Sequence, residues 1–113
     1  MPIPEIWEWA LDPHELKEFV HSYASVLASE GDDVMKSQEF ILPADAEVAG
    51  LEIVDQYGDA ETSVGVVVLQ VNEADRESEL FDGEGTLFRL QHRIVTEYPR
   101  IHNRSIMLRI KRL

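Results

Sequence analysis

The chain contains no cysteine. That excludes disulfides, thiolate nucleophiles and cysteine-ligated zinc, and it fits a reducing compartment. Long apolar runs are also missing. The longest, Val64 to Leu69, includes Gly65 and is far too short to span a bilayer. The opening stretch MPIPEIWEWALD holds acids and no basic residue, whereas a secretory signal needs a positive start and a longer apolar segment. A cytoplasmic protein is therefore expected, and the Asn103-Arg104-Ser105 glycosylation pattern is idle. No segment is glycine- and serine-rich or low in complexity, and there is no internal repeat, so disorder is not expected outside the termini.

Basic residues are scarce over most of the length. Residues 1–88 carry 21 Asp and Glu against only Lys17, Lys36 and Arg76. Residues 89–113 reverse this, with Arg89, Arg93, Arg100, Arg104, Arg109, Lys111 and Arg112 against Glu97 alone. The formal net charge is −12. A balance that negative opposes direct binding of nucleic acid, where affinity comes from Lys and Arg displacing counterions, and it opposes anionic membranes equally. A basic protein partner is easier to accommodate.

At 113 residues the chain reads as a single domain, residues 1–113, with an N-terminal arm over about residues 1–11. That length can bury about 65% of the unfolded surface, and 44% hydrophobic residues is ordinary for a globular domain.

The pattern predicts a helix from about Pro13 to Glu30. Asp12 caps it, Glu15 completes an Asp-x-x-Glu capping pattern, and Gly31 stops it. Leu16, Phe19, Val20, Tyr23 and Leu27 form its apolar stripe. Glu39 to Leu42 reads as a short strand ended by Pro43. Residues 48–57 and 63–71 read as a hairpin around Gly58-Asp59-Ala60-Glu61. The second arm is apolar on both faces, which predicts a central strand covered on both sides. A second helix is predicted from Gly85 to Tyr98, before Pro99. The closing strand puts Ile106, Leu108 and Ile110 inward and Arg109 and Lys111 outward. The fold class expected is α+β. It has a mostly antiparallel sheet of three to five strands packed with two helices, in the order α-β-β(-β)-α-β. Because the last strand follows a helix, it can run parallel to a neighbour.

No motif for catalysis or metal binding passes a spacing test, and no cofactor is expected. Glu18-x-x-His21 is half of a di-metal carboxylate motif without its other half, and His14 lies too far along a helix to join it. Gly83-Glu84-Gly85 has Phe88 where a dinucleotide fingerprint needs its third glycine, and its acids would repel phosphate. A calcium loop aligned on Gly83 would place Arg89 at the bidentate glutamate position. Asp55, His92 and His102 are the remaining proton-transfer candidates. His92 lies between Arg89 and Arg93, which favours its neutral form.

Two features point to interaction instead. Glu73, Asp75, Glu77 and Glu79 alternate, with Asp82 and Glu84 flanking. In an extended segment such a row repeats every ~6.6 Å and can imitate a row of phosphates; in a helix it disperses. Trp7 and Trp9 lie together near the N-terminus, either as interface anchors or as pins for the arm. The leading expectation is a non-catalytic acidic protein-binding module. It would be an inhibitor or immunity-type antagonist of a basic, nucleic-acid-binding protein, with the six acids able to act by nucleic-acid mimicry and Trp7 and Trp9 as further partner-binding residues. The alternative is a small oligomeric enzyme or ligand-binding domain using His92, His102, Asp55 and Arg93. The opposed charges also allow contact between copies, two-fold or head-to-tail, so a homodimer is a further expected partner.

Overall fold

A computed structural model describes residues 5–31 and 33–113. The first four residues of the expected N-terminal arm lie outside that range. Seven strands and two short helices follow one another: β1 (Glu5–Ile6), β2 (Lys17–Ser22), α1 (Ala24–Ser29), β3 (Met35–Ile41), α2 (Ala44–Val48), β4 (Leu51–Asp59), β5 (Val64–Val71), β6 (Thr86–Thr96) and β7 (Ile101–Ile110). They form two sheets, β1-β7-β6-β3 and β2-β5-β4. The coarse α+β class holds. The order within it differs, because strands occupy both segments expected to be long helices. Among the described residues, no helix is long and apolar enough to cross a membrane.

The first correction falls on residues 13–30. The Asp12–Glu15 capping pattern does form. The Asp12 carboxylate accepts the His14 amide, and the Glu15 carboxylate accepts the Asp12 amide. It closes one turn, and then the chain extends into β2. Phe19 and His21 alternate inward there, and β2 pairs with β5 along its whole length, from Lys17 opposite Leu69 to Ser22 opposite Val64. Six ladder positions outweigh the local preference for helix, which is weak in any sequence. Only Ala24–Ser29 remains helical.

The second correction is β6. Phe88, Leu90, His92, Ile94 and Thr96 point inward with a period of two. The polar His92 and Thr96 hide that period from a hydropathy reading, and a helical arc through Leu87, Leu90 and Ile94 fits equally well. Pairing with β7 from Thr86–Ile110 to Val95–Ile101 selects the strand.

Other expectations hold more closely. β3 ends at Ile41, just before Pro43 as expected, but begins at Met35, four residues ahead of the expected Glu39. The hairpin of β4 and β5 exists, with its turn shifted about two residues to 60–63, where Ser63 takes a positive φ of 57°. β7 faces as expected, and it runs parallel to β1 while antiparallel to β6. β5 is central, but only one of its faces is covered. Gly65, Val67, Leu69 and Val71 are buried, while Val64, Val66, Val68 and Gln70 are half-buried on the outside.

The inner faces meet in a main core, with Phe19, Val67 and Leu69 from one sheet and Phe40, Phe88, Leu90, Ile106 and Leu108 from the other, and a smaller cluster of Tyr23, Leu27, Met35 and Ile94 lies apart from it. Edge strands leave unpaired backbone groups, and side chains bridge the two open seams. At the β1–β2 seam the Trp7 indole N–H donates to the Val20 carbonyl at 2.8 Å. At the β3–β4 seam the Gln56 side-chain oxygen accepts the Phe40 amide at 2.7 Å.

Candidate functional site

The register puts the starts of β4 and β6 and the ends of β5 and β7 at one end of the sandwich. That end is closed by α2 and by the acidic connector, residues 72–85. Both are fixed by apolar anchors: Ala46 and Ala49 from α2, and Phe81 from the connector, are buried in the core. Between the anchors the connector winds into two 3-10 turns, Glu73–Asp75 and Glu79–Phe81, capped by the Asn72 and Ser78 side chains. The expected extended row of carboxylates is therefore absent, since consecutive turns send Glu73, Asp75, Glu77 and Glu79 in different directions. Glycine is required where the connector meets its neighbours. A Cβ on Gly50 would lie 2.5 Å from the Asp75 carboxylate, and one on Gly85 would lie 2.1 Å from the Ile110 carbonyl oxygen. Gly83-Glu84-Gly85 is thus a tight turn into β6 rather than a helix entry.

The basic C-terminus quenches part of this acidity. The Arg112 guanidinium pairs with Asp82, lies 3.9 Å from Glu77, and donates to the carbonyls of Arg76 and Ser78. His14 also reaches Glu77, at 3.0 Å. Arg109 donates to the Glu84 carbonyl. Among the described residues, Glu73, Asp75, Glu79 and Glu84 enter no ion pair, and α2 adds Asp45 and Glu47 at the same end. Two of the six connector acids are latched; of the other four, Glu73, Glu79 and Glu84 are exposed and Asp75 is half-buried against Gly50.

The two tryptophans separate. Trp7 spans the seam, half-buried, with its ring 4.9 Å from that of Phe19. Trp9 is 66% exposed, with the Lys17 ammonium 5.9 Å from its ring centre.

The four residues of the enzymatic alternative do not converge. Asp55 pairs with Val68 on the outer face of β4, and Arg93 pairs with Asn103 on the outer face of β6, so the two lie on opposite sides of the molecule. His102 lies at the end remote from the connector, bonded to Glu30 at 3.1 Å beside Arg100 in an open surface depression. His92 is wholly buried.

Around His92 the structure assembles a polar cluster that helical readings of β2 and β6 could not place. His92 Nδ1 lies 2.8 Å from His21 Nδ1, and its Nε2 lies 2.9 Å from the Gln38 side-chain oxygen. The Tyr23 hydroxyl donates to the His92 carbonyl. Phe40 stacks on the imidazole at 3.9 Å, and Gly65 leaves room for it. Because the Gln38 oxygen can only accept, Nε2 of His92 carries the proton, Nδ1 accepts, and His21 donates. The outer nitrogen of His21 lies 3.6 Å from the Glu5 carboxylate. Burial pushes His92 down to about 3, with the neighbouring His21 adding to the effect. Burial also lowers His21, against the attraction of Glu5. Tyr23 is pushed up to about 12 by the same desolvation. These are neutral groups that satisfy one another inside a filled core. The period-two alternation Phe19-His21-Tyr23, read as a strand, was the signal for them. Among the described residues, no three His, Asp or Glu gather as a metal site; Glu18 faces out of β2 while His21 faces in.

No family model matches the chain, and no curated protein matches its sequence.

Proposed function

We propose that this chain is a non-catalytic acidic module that binds a basic protein through the end of the sandwich closed by α2 and the connector, in the manner of an inhibitor or immunity-type antagonist. The observation that carries the reading is the incomplete neutralisation there. Arg112 takes up Asp82 and approaches Glu77, leaving Glu73, Asp75, Glu79 and Glu84 outside any ion pair among the described residues. Those acids are held on turns anchored by Phe81 and by two side-chain caps. A preorganised charged surface accelerates encounter with a partner of opposite sign and loses less entropy on binding. The mechanism is steering by a clustered field, and it needs no imitation of evenly spaced phosphates. The positions of His92, His102, Asp55 and Arg93 lend the catalytic alternative no support.

The test compares the full chain with a Glu73→Gln, Asp75→Asn, Glu79→Gln variant as baits in the host lysate, at low and high ionic strength. The expected result is capture of basic proteins by the wild type that is lost in high salt and lost with the variant, while the thermal midpoint is unchanged. Equal capture by both baits, or capture indifferent to salt, overturns the proposal.

A further inference from the structure

The two outer faces of the sandwich carry opposite charge. On β2-β5-β4, cross-strand partners share a face. Val20, Val66 and Tyr57 therefore form one transverse row, and Glu18, Val68 and Asp55 the next. Val20 is 51% and Tyr57 49% exposed. The Tyr57 hydroxyl bonds to the Glu18 carboxylate across the strip. The three strands add no basic residue to this face. On the opposite side, β6 and β7 present Arg89 beside Met107 and Leu87 beside Arg109, with Arg93 further along. Glu39, opposite Arg93, is the only acid the strands place on that face. Arg89 and Arg93 are exposed and enter no ion pair among the described residues.

We propose that a second copy of this chain docks here, the Arg89–Arg93 face of one molecule against the Glu18–Asp55 face of the next. Each face mixes apolar side chains with charge predominantly of one sign, Glu39 being the exception on the basic face, so the match is both hydrophobic and electrostatic. A two-fold contact would set Glu18 and Asp55 against their own copies and is disfavoured. The contact is therefore heterologous, and because the two faces lie on opposite sides of the sandwich it repeats as an open stack rather than closing at two. Most of the excess acid sits at the strand ends, away from the stacking direction. At about 0.15 M salt the Debye length of ~8 Å screens that repulsion more than it screens pairs in contact. This surface is distinct from the connector acids, so either proposal can fail alone.

Sedimentation of the purified full chain from about 10 μM to about 1 mM, the range in which a weak interface populates, tests it. The expected result is a mass that climbs with concentration without a plateau at two. Two variants follow: Arg89→Glu with Arg93→Glu, and Glu18→Arg with Asp55→Arg. All four side chains are exposed, and the circular dichroism of each variant checks its fold. Each should weaken self-association at least about tenfold. Mixing them should restore it, because the acidic face left on the first fits the basic face left on the second and the two reversed faces also match in charge. A wild type that stays monomeric throughout, a mass that stops at two, or variants that fail to rescue each other would overturn the proposal. Should either double variant misfold, the neutral pair Arg89→Gln with Arg93→Gln supplies the same comparison, and unchanged association there also overturns it.

Discussion

Acidification from pH 6.5 to 4.5 should destabilise this protein chiefly through one imidazole. His92 is fully buried, stacked on Phe40, and its two nitrogens are committed to Gln38 and His21. A second ring proton would have to point at the nitrogen of His21 that already donates. Desolvation first, and then the neighbouring His21, hold His92 at about 3 in the folded state, against an unfolded value near 6.5. Between those values the unfolded chain holds a proton that the folded chain refuses. Stability is full above about pH 6.5 and is lost as the pH falls toward 3. The slope is half a proton's worth at pH 6.5 and approaches about 1.4 kcal/mol per pH unit below it, so the two units to pH 4.5 cost about 2 kcal/mol. In a domain of this size that is a fall of about 10 °C in Tm. His21, lowered by burial against the pull of Glu5, steepens the dependence in the same direction. Carboxylates such as Asp12, held low mainly by the Leu113 amide, come into play only below the window. Urea unfolding at half-unit steps of pH measures the slope. The His92→Gln variant, whose amide can still donate and accept, should lose about one proton's worth of it whatever its absolute stability. A wild-type curve flat from 6.5 to 4.5, or an unchanged slope in His92→Gln, would refute the reasoning.

Gly65→Ala should be unusually costly for so small a change. The new methyl would lie 2.3 Å from His92 Nε2 and 2.8 Å from the Gln38 oxygen, and neither can retreat within the packed cluster. A loss of about 3 kcal/mol in chemical denaturation is expected. Gly83→Ala, where a Cβ meets nothing within 4 Å and only the φ of 60° is strained, should cost about 1 kcal/mol; equal losses at the two sites would contradict the packing account. Arg112→Ala removes donors to the Arg76 and Ser78 carbonyls and the partner of Asp82. Limited proteolysis should then cut within residues 72–85 several-fold faster, with a global loss of about 1–2 kcal/mol; protection equal to wild type would show that Phe81 alone holds the connector.

The parts of the fold legible in the sequence were those whose signals are local. The β4–β5 hairpin announces itself by two apolar-rich runs, Leu51–Tyr57 and Val64–Val71, on either side of a turn. Pro43 marks the end of β3, and the closing strand separates Ile106, Leu108 and Ile110 from Arg109. The Asp12–Glu15 turn was legible too, but its consequence was not. A capping pattern records how a helix begins and carries no information on whether a better partner waits elsewhere. Here β5 pairs with residues 17–22 across more than forty positions of chain. The same limit hid the polar cluster. His21 and His92 are 71 residues apart, and each looks like a wet surface histidine until both segments are strands.

What the amino-acid order determined by itself is electrical and chemical: an acidic body with a basic end, and a chain without thiols. These quantities are sums over residues and need no geometry. The tertiary structure alone decided which carboxylates stay unpaired, which face each arginine takes, and that two histidines are hydrogen-bonded to each other inside the core. Such outcomes depend on pairing between distant strands. A segment whose apolar residues suit periods of 3.6 and 2.0 alike has its conformation chosen by the neighbour it meets.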